Sequence, residues 1–552
     1  MTAAEVLVRC LENEGVRYVF GIPGEENLEV VKALRESEKI TFIVTRHEQG
    51  AAFMADLVGR LTGKAGVCLS TLGPGATNLV TGVADANSDG APLIAITGQV
   101  STENMHLTSH QYLDLVAMFA PITKRSKQII RPDTVNEIVS IVFKYAESEK
   151  PGAGYIDLPC DVAAMEVEDG PGTMMLQHQI SYPEIPDDKS IDHAANTITA
   201  ARRPVILCGH STIRNHASAA LRHFARKLKI PVVMTMMAKG ALPFTDSYMI
   251  STIGVPGRDY ADAAIEAADL VIAVGYDIVE LAPERWNKGH IHKIVHIGAR
   301  SPHINKNYQP EVTVIGDIAS SLDRISMISK REDEPRWAFD LRDAMFEEEK
   351  AEAAEDSFPV KPQRVIADIR AAMDSEKDIL ISDVGAHKMW IARNYRCYEP
   401  LTCIISNGFA TMGIAVPGAL AAKLLYPDRK VIAVTGDGGF LMNNQELETA
   451  VRTGTNFVTL IFHDDHYGLI KWKQEKRYGE SYDVSFGNPD FVKMAESFGC
   501  KGYRVEKADD LLPILRDAFA QKVPSVIDCP VDYSENSRLG TVTYQVSEAC
   551  QV

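Results

Sequence analysis

Short apolar segments typical of β-strands alternate with helical segments along almost the whole sequence, and this alternation constrains the fold most. Strands separated by helices form parallel sheets that helices cover on both faces. The predicted fold class is therefore α/β, with doubly wound parallel sheets. The predicted strands are Tyr18–Phe20, Thr41–Val44, Val67–Ser70, Leu93–Thr97, Val205–Cys208, Val232–Met234, Leu270–Val274, Ile294–Ile297, Ile379–Ser382, Val431–Thr435, Val458–Phe462 and Ser525–Cys529.

The chain is too long for one hydrophobic core. Its 552 residues suggest three or four domains. Two stretches have the composition of linkers: Met165–Lys189 is rich in Gly, Pro and acidic residues, and Ser329–Pro362 is charged and partly helical. These linkers predict three blocks of similar size.

Charge and cysteine usage exclude several classes of protein. A net charge of −17 argues against a nucleic-acid partner, which requires clustered Lys and Arg, but is compatible with an anionic small substrate. No apolar run is long enough to span a membrane, and the N-terminus lacks the pattern of a signal peptide. The nine cysteines include no CxxC pair, which favours a reducing compartment. We therefore expect a cytoplasmic protein that binds neither nucleic acid nor membrane.

A glycine-rich segment in the last third indicates a phosphate site. The strand Lys430–Thr435 continues directly into Gly436-Asp437-Gly438-Gly439. A glycine-rich turn after a parallel strand lets backbone N–H groups approach a phosphate closely. A helix is predicted over Asn443–Thr453, with Gly454 as its stop signal.

Two aspartates accompany this segment. Asp437 lies in the glycine-rich turn, and Asp464 follows the next strand, Phe457–Phe462. Because adjacent parallel strands end at one sheet edge, the two carboxylates should meet there, where they suit Mg²⁺. The alternative is that Asp437 caps a helix and Asp464 occupies a turn. The presence of the second aspartate favours the metal site.

An acidic residue follows a strand in the first third as well. Glu48 lies just before a predicted amphipathic helix, Ala51–Leu61, that ends near Gly63. A Gly73-Pro74-Gly75 loop follows the next strand, so the carboxylate and the loop should converge at one sheet edge. Glu48 alone is compatible with a helix-capping acid. Apolar neighbours such as Phe53 favour a buried acid that needs a partner.

Three strings of residues carry a resemblance to a known family. They are Thr45-Arg46-His47-Glu48-Gln49-Gly50-Ala51-Ala52-Phe53-Met54-Ala55, Ser70-Thr71-Leu72-Gly73-Pro74-Gly75-Ala76-Thr77-Asn78 and Gly436-Asp437-Gly438. The chain resembles thiamine-diphosphate-dependent 2-oxo-acid enzymes over nearly its whole length. The resemblance is closest to the acetolactate synthase branch, in its catabolic, flavin-independent form.

The resemblance implies three α/β domains. They are a pyrimidine-binding domain at residues 1–168, a central Rossmann-like domain at 188–330 and a diphosphate-binding domain at 360–535, followed by a C-terminal tail at 536–552. It also implies a homodimer at least, and favours a homotetramer, with each cofactor bound across two subunits.

The resemblance also implies roles for individual residues. Glu48 would hydrogen-bond the cofactor pyrimidine, Asp437, Asp464 and the backbone carbonyl of His466 would bind Mg²⁺, and the carbonyl of Ala410 would accept from the aminopyrimidine. Met412 would support the bent cofactor, although core packing is the usual role of a methionine. The further cofactor-binding residues implied are Pro74, Asn78, Val384, Gly385, Ala386, His387, Gly436, Gly438, Gly439, Tyr467, Gly468 and Leu469.

The implied reaction is the decarboxylation of pyruvate and the joining of the remaining two-carbon unit to a second pyruvate, which gives 2-acetolactate and CO₂. The cofactor supplies the carbanion chemistry, and the protein supplies binding, orientation and proton control. The alternatives are a non-oxidative 2-oxo-acid decarboxylase, another carboligase, or a non-catalytic subunit. Intact Glu48, Asp437 and Asp464 argue against the last of these.

Three departures from the family pattern bear on substrate and cofactor. Glu25, with His110 and Gln111, would be a proton donor to the two-carbon intermediate, or else a solvated loop carboxylate. Lys473 stands where biosynthetic synthases carry a Trp, which favours a pyruvate-preferring enzyme with Lys473 and Gln111 at the substrate. The runs Gly275-Tyr276-Asp277 and Gly298-Ala299-Arg300 lack the usual flavin contacts, so FAD is not predicted.

Overall fold

The computed structural model describes residues 1–168, 170, 172–176, 183–254 and 259–540. The chain forms two compact units. Unit 1 comprises Met1–Ser181, Gly408–Asp428 and Leu441–Asn456, and unit 2 comprises Tyr182–Asn407, Arg429–Phe440 and Phe457–Val552. Part of the predicted linker Met165–Lys189, and residues 541–552 of the predicted tail, lie outside the described residues.

Unit 1 contains one six-stranded sheet in the order β2-β1-β3-β4-β6-β5, in which every neighbouring pair is parallel. Strands β3, β4 and β6 are buried along their whole length, as expected when helices cover both faces. The strands are β1 (Tyr18–Gly21), β2 (Thr41–Val44), β3 (Gly66–Ser70), β4 (Leu93–Gln99), β5 (Arg125–Gln128) and β6 (Ala153–Pro159).

Unit 2 contains two further six-stranded parallel sheets, in the orders β12-β11-β10-β7-β8-β9 and β14-β13-β15-β16-β18-β17. The strands of the first are β7 (Pro204–Cys208), β8 (Val232–Thr235), β9 (Met249–Ile253), β10 (Leu270–Val274), β11 (Lys293–Gly298) and β12 (Val312–Ile315). Those of the second are β13 (Ile379–Ser382), β14 (Cys403–Ile405), β15 (Val431–Gly436), β16 (Val458–His463), β17 (Lys501–Arg504) and β18 (Ser525–Pro530). The predicted class of parallel α/β sheets is confirmed.

Helices lie between successive strands along most of the chain, and α16 and α18 belong to unit 1 although the strands that flank them in sequence belong to unit 2. Those of unit 1 are α1 (Ala3–Asn13), α2 (Leu28–Glu36), α3 (Glu48–Thr62), α4 (Pro74–Asp89), α5 (Leu115–Phe119), α6 (Val135–Glu147), α7 (Cys160–Ala164), α16 (Ala415–Leu425) and α18 (Glu446–Arg452). The others are α8 (Asp188–Ala200), α9 (Ser211–Arg214), α10 (Ser218–Leu228), α11 (Tyr260–Glu266), α12 (Ile318–Ile328), α13 (Arg336–Glu352), α14 (Pro362–Ala372), α15 (Ala386–Asn394), α17 (Asp437–Asn443), α19 (Gly468–Tyr478), α20 (Phe491–Ser497) and α21 (Leu511–Ala520).

All twelve predicted strands are present, within a few residues of their predicted bounds. Six further strands were not predicted. Five of them, β5, β9, β12, β14 and β17, lie at sheet edges, and the sixth, β6, is internal. Edge strands are shorter and often polar because only one side is paired, and the Arg-Ser-Lys-Gln sequence of β5 illustrates this.

The predicted helix boundaries need correction around the glycine-rich segment. The structure continues the strand to Gly436 and begins α17 at Asp437, so the glycines form the first helical turn and not a separate turn. The predicted helix Asn443–Thr453 is not one continuous helix. Asn443 is the last residue of α17, and α18 begins at Glu446. The Asn443 side chain donates to the carbonyl of Gly413, a bond directed out of the helix.

Two other sequence-based expectations concern the chain as a whole. The eight cysteines within the described residues are free thiols. Among the described helices none is both long and apolar enough to span a bilayer.

Candidate active site

The predicted site residues of each unit follow strands that flank a reversal of strand order. In unit 1, β1 lies between β2 and β3, and in unit 2, β13 lies between β14 and β15. Glu48 follows β2 and Pro74 follows β3, whereas the Val384–His387 segment follows β13. Open parallel sheets bind ligands outside the carboxyl ends of the strands at such reversals.

Glu48 is the first residue of α3 and only 9% of it is exposed. His47 caps the helix with its Nδ1, which accepts from the backbone N–H of Gln49. The side-chain amide of Asn78 donates to Glu48 Oε2 at 2.9 Å. Within the described part of the chain, no side chain donates to Oε1, which lies beside Gly75. Glu48 is therefore a buried acid at a helix start with one oxygen left for a further donor.

A second carboxylate, Glu446, holds the backbone that precedes Glu48. It accepts from the backbone N–H groups of Arg46 and His47 at 3.1 Å and from the Thr449 hydroxyl at 2.7 Å. A Cβ on Gly50 would lie 2.6 Å from Glu446 Oε1, so only glycine permits this approach. Burial raises the pKa of Glu446 to about 7.

The segment from Gly408 to Gly413, which carries Ala410 and Met412, is held at both ends. The Gly408 N–H donates to Asp89 Oδ1 at 2.6 Å, and the Asn443 amide donates to the Gly413 carbonyl at 2.9 Å. Ala410 has a φ of 57°, a left-handed conformation that is costly for a residue with a side chain. Surrounding contacts therefore fix the direction of the Ala410 carbonyl.

Asp89 also belongs to a buried cluster around Arg60. The guanidinium contacts Asp56 at 2.8 Å, Asp85 at 2.7 Å and Asp89 at 2.7 Å. One cation faces three carboxylates, and burial raises the pKa of Asp56 and of Asp85 despite Arg60. Burial thus works against the ionised form of these two carboxylates even beside the guanidinium.

The three residues expected at the substrate are only partly brought together. Gln111 packs against Gly73, where an added Cβ would lie 2.8 Å from the Gln111 Cβ, so it borders the Pro74 loop. Glu25 and His110 are exposed, and no hydrogen bond joins them in the described structure. Glu26 is instead the acid that contacts the loop, because it accepts from the Thr71 hydroxyl at 2.6 Å.

The predicted diphosphate loops of unit 2 form a glycine-lined, N–H-rich edge. Gly385 precedes α15, so the backbone N–H groups of Ala386 and His387 lie at a helix start. Val384 N–H donates to Asp383. A Cβ on Gly438 would lie 2.8 Å from the Tyr467 ring, which leaves no room for a side chain there.

His387 in this edge has an orphaned ring nitrogen. The residue is 1% exposed, and its Nε2 has no hydrogen-bond partner among the residues that the structure describes. Burial lowers the pKa of His387 to about 3, so the ring is neutral. The ring also lies near Gly436. The ring donates through Nδ1 to the Asp383 backbone, so Nε2 of the neutral imidazole is an acceptor, and the N–H groups for a phosphate oxygen come from the backbone of this edge.

The ends of β15 and β16 bring the Asp437 carboxylate beside the backbone of Asp464 and Asp465. Asp437 Oδ2 accepts from the backbone N–H groups of Asp464 at 3.2 Å and Asp465 at 2.8 Å, and from the Asn488 amide at 2.9 Å. Burial, then the Asp437 charge, raises the pKa of Asp464 to about 7. Two carboxylates that repel each other in a buried edge suit a divalent cation.

A second grouping of potential ligands overlaps this one. Ligand atoms of Asp437, His463 and Asp465 lie within 4.8 Å of one another. Both ring nitrogens of His463 are already used, by Asp528 at 2.6 Å and by Asp465 at 3.0 Å. These bonds raise the pKa of His463 to about 9 and leave neither ring nitrogen open to a metal. The Asp437 and Asp464 pair is the better cation site.

A cavity of about 740 Å³ adjoins this edge, with Asp464, His466 and Gly468 among its lining residues. Tyr467 precedes α19, and Gly468 and Leu469 form its first turn. Lys473 is exposed on the same helix, whereas Lys471, which contacts His466 Nε2 at 3.4 Å, lines the cavity.

In the sheet of unit 2 that contains β7, a turn at Gly209 and His210 follows that strand. The carboxylate of Glu280 occupies this turn. The His210 N–H donates to both oxygens of Glu280 at 3.0 Å, and the Thr235 hydroxyl donates to it at 2.5 Å. Burial raises the pKa of Glu280 to about 7. In dinucleotide-binding folds the corresponding turn contacts phosphate.

Sequence reasoning missed the polar residues that hydrogen-bond the segments around the site. They are Glu446, Asp89, Asn443, His463 and Glu280. Each is a polar residue with at least one partner on a different element of the structure. Glu446 and Glu448 look alike in the printed sequence, yet only Glu446 is fully buried. The one signal that the sequence offered was that Glu446 lies close to the glycine-rich motif.

Three family models match consecutive parts of the chain. The thiamine pyrophosphate enzyme N-terminal TPP binding domain matches residues 1–118, the central domain matches 191–325, and the C-terminal TPP binding domain matches 383–529. The match pattern follows the order of the three sheets. Fold and site thus define the class as a thiamine pyrophosphate enzyme.

Curated relatives narrow the class. The acetolactate synthase of Bacillus subtilis (strain 168) is 39% identical over 98% of this chain and 94% of its own length. The catabolic acetolactate synthase of Raoultella terrigena is 36% identical over 97% of this chain and 96% of its own. A probable acetolactate synthase large subunit from Methanocaldococcus jannaschii is 36% identical over 97% and 93%. The chain belongs to the acetolactate synthase family of thiamine pyrophosphate enzymes.

Proposed function

We propose that the chain is an acetolactate synthase that decarboxylates pyruvate and transfers the two-carbon unit to a second pyruvate. The observation that carries the proposal is the state of Glu48: a buried carboxylate at the start of α3, with Asn78 on one oxygen and the other free for a donor. Family membership and the names of its relatives supply the substrate.

The residues of unit 2 fit a diphosphate with Mg²⁺. The backbone N–H groups of Ala386 and His387 at the start of α15, with the close-packed Gly438, would form a cradle for phosphate oxygens. Asp437, Asp464 and the His466 carbonyl would bind the cation, which offsets the repulsion that raises the pKa of Asp464. Gly436, Gly439, Tyr467 and Leu469 would complete the contacts.

Bound thiamine diphosphate supplies a carbanion that attacks 2-oxo acids. The chain controls the proton that this chemistry needs. Glu48 would hold a proton at the pyrimidine nitrogen through its free oxygen, while Asn78 fixes the carboxylate. The Ala410 carbonyl would accept from the pyrimidine amine, and Pro74 and Met412 would position the rings.

Substrate recognition is assigned to residues at two loops. Gln111 borders the Pro74 loop and would bind the substrate carbonyl or carboxylate. His110 and Glu25 are exposed and would supply protons to product, and Lys473 would attract the substrate carboxylate. Glu26 is engaged by Thr71, so Glu25 is the free acid of this pair.

We propose that the enzyme works without flavin. Support comes from Glu280, whose carboxylate takes up the His210 N–H where a dinucleotide fold would offer it to phosphate. A second anion at this turn would be repelled by the buried carboxylate.

The assembly is proposed to be a homodimer at least, with a homotetramer favoured, because the cofactor of this family is bound across two subunits. We also propose the domain limits 1–168, 188–330 and 360–535 with a tail at 536–552, and a cytoplasmic location.

The decisive experiment is a product assay. Purified protein is incubated with pyruvate, Mg²⁺ and thiamine diphosphate, with and without FAD, and acetolactate, acetaldehyde and CO₂ are quantified. We expect one acetolactate per CO₂, independent of FAD. Acetaldehyde without acetolactate would indicate a decarboxylase, and neither product would indicate a different 2-oxo acid.

A further inference from the structure

The turn between β16 and α19 carries the proposed cation ligands Asp464 and His466, and Asp465 lies between them. Asp465 has a φ of 57°, a left-handed conformation that is uncommon for a residue with a side chain. Such a conformation persists only where surrounding contacts hold it. The Asp465 side chain is 57% exposed, so apolar packing does not hold it. Its polar contacts therefore decide the shape of the turn.

His463, the last residue of β16, joins this turn to the neighbouring strand β18. Its Nδ1 lies 2.6 Å from Asp528 Oδ1, and its Nε2 lies 3.0 Å from Asp465 Oδ1. Asp528 is 1% exposed and belongs to β18, which pairs with β16 inside the sheet. The imidazole also packs edge-on against Phe491, with the ring centroids 5.3 Å apart. His463 therefore attaches the exposed Asp465 side chain to a buried strand.

Two further contacts hold Asp465 from other parts of the chain. The Asn488 amide donates to Asp465 Oδ1 at 2.8 Å and to Asp437 Oδ2 at 2.9 Å, so it bridges the two carboxylates. The Asp465 carbonyl accepts from the backbone N–H of Phe486 at 3.1 Å. With His463, these contacts fix both the side chain and the backbone of Asp465.

The backbone N–H of Asp465 acts in turn on Asp437. It donates to Asp437 Oδ2 at 2.8 Å, beside the N–H of Asp464 at 3.2 Å and the Asn488 amide. Three donors thus occupy this oxygen. The other oxygen, Oδ1, accepts from the N–H of Gly438 at 2.8 Å and from no other group in the described part of the chain. Oδ1 is therefore the Asp437 oxygen that remains for a cation.

We propose that His463 is a positioning residue for the Mg²⁺ site, which it orders by holding Asp465 in place. The Asp465 N–H then orients the Asp437 carboxylate, and the same turn presents the Asp464 carboxylate and the His466 carbonyl. His463 does not bind the cation, because carboxylates occupy both of its ring nitrogens. Its role rests on the proposed function, which assigns Mg²⁺ to these ligands. Replacing residues that orient metal ligands typically weakens metal binding by about 10–100-fold.

The test is calorimetric titration of thiamine diphosphate into the full chain at several Mg²⁺ concentrations. Asp465→Gly removes the side chain that His463 and Asn488 hold, and glycine adopts the left-handed conformation without steric cost. We expect the Mg²⁺ concentration for half-maximal cofactor binding to rise at least about tenfold. Asp465→Asn is the matched control, because its amide oxygen can still accept both bonds, and it should leave that concentration nearly unchanged.

A second pair of variants tests His463 directly. His463→Phe removes both ring contacts but keeps an aromatic ring against Phe491. It should raise the half-maximal Mg²⁺ concentration at least about tenfold, and saturating Mg²⁺ should restore cofactor binding. His292→Phe is the control for the loss of a buried histidine bond, because His292 contacts the Ala268 carbonyl at 3.0 Å beside the other sheet of unit 2. It should lower the melting temperature without changing the Mg²⁺ dependence. If His463→Phe does not fold, the two Asp465 variants decide the question.

Several results would overturn the role of His463. An unchanged Mg²⁺ dependence in Asp465→Gly or in folded His463→Phe would show that the contact does not position the ligands. Equal weakening by Asp465→Asn and Asp465→Gly would show that the charge of Asp465 matters, as direct binding by the Asp437, His463 and Asp465 grouping requires. An equal shift in His292→Phe and His463→Phe would indicate a general loss of stability. A wild-type chain that binds no thiamine diphosphate with Mg²⁺ would instead overturn the proposed function, and the role of His463 with it.

Discussion

The acidic residues of the two units are compensated in different ways. In unit 1, Arg60 faces three buried aspartates, and Glu446 is satisfied by two backbone N–H groups and a hydroxyl. In unit 2, Asp437 and Asp464 approach each other, and their repulsion contributes to the raised pKa of Asp464. The comparison teaches that the chain itself supplies the partners of these buried acids in unit 1, whereas the proposed function assigns a cation and a diphosphate from outside the chain to Asp437 and Asp464 in unit 2.

The largest expected effect concerns Glu48, the buried acid at the start of α3 in unit 1. Glu48→Gln keeps an acceptor for Asn78 but removes the charge, so we expect kcat to fall by about 10²–10⁴-fold. Cofactor affinity, measured by calorimetry, should change far less. The control is Glu36→Gln, an exposed acid at the end of α2, which should keep wild-type activity. A Glu48→Gln rate close to that of the wild type would remove Glu48 from the reaction.

The next effect tests whether unit 1 compensates its own charges. Arg60→Met leaves three buried carboxylates without their cation, so we expect a loss of about 3–5 kcal/mol in the free energy of unfolding, measured with urea. Arg131→Met is the matched control, because Arg131 pairs with Asp133 at the surface, and it should leave the stability unchanged. Equal losses in the two variants would show that the buried cluster has no special role.

A smaller effect concerns the carboxylate behind Glu48. Glu446→Leu would leave the N–H groups of Arg46 and His47 unsatisfied and should cost about 2–4 kcal/mol in the free energy of unfolding. Glu446→Gln can still accept both bonds and should restore most of the stability and of kcat. Glu448→Gln, at an exposed neighbour, is the control. If the Leu and Gln variants behaved alike, the hydrogen bonds would not position Glu48.

Glu446 also predicts a pH dependence. Its pKa is raised from 4.5 to about 7 in the folded chain. A carboxyl with a raised pKa holds its proton more tightly in the folded state than in the unfolded state. Its contribution to stability is therefore complete below pH 4.5 and is lost as the pH rises through about 7. Urea midpoints between these values should fall more steeply for the wild type than for Glu446→Gln. Parallel slopes would contradict the raised pKa.

The smallest expected effect concerns the proposed Mg²⁺ site at Asp437 and Asp464. Asp464→Asn should raise the Mg²⁺ concentration for half-maximal cofactor binding by at least about tenfold, because one charged ligand is lost. Asp465→Asn should change it little, since Asp465 is engaged by His463. The measurement is calorimetric titration of thiamine diphosphate at several Mg²⁺ concentrations. A larger effect of Asp465→Asn would favour the Asp437, His463 and Asp465 grouping instead.

Much of the fold follows from local sequence patterns. Most of the predicted strands are buried apolar runs, and all twelve are present, whereas the buried internal strand β6, with a glycine and an aspartate in its sequence, was not predicted. The edge strands β5 and β17 are polar and carry no such pattern. The break between α17 and α18 also escaped prediction, because it depends on the bond between Asn443 and the distant Gly413.

The sequence by itself determined the class of fold, the family, and the positions of Glu48, Asp437 and Asp464, because strand ends and glycine-rich turns are local features. Only the tertiary structure decided which polar residues support them. Glu446 and Asp89 gain their properties from partners hundreds of residues away, as the 400 residues between Arg46 and Glu446 show, and His387 gains its lowered pKa from burial. Desolvation depends on the three-dimensional surroundings of a group, and those surroundings exist only once the chain has folded.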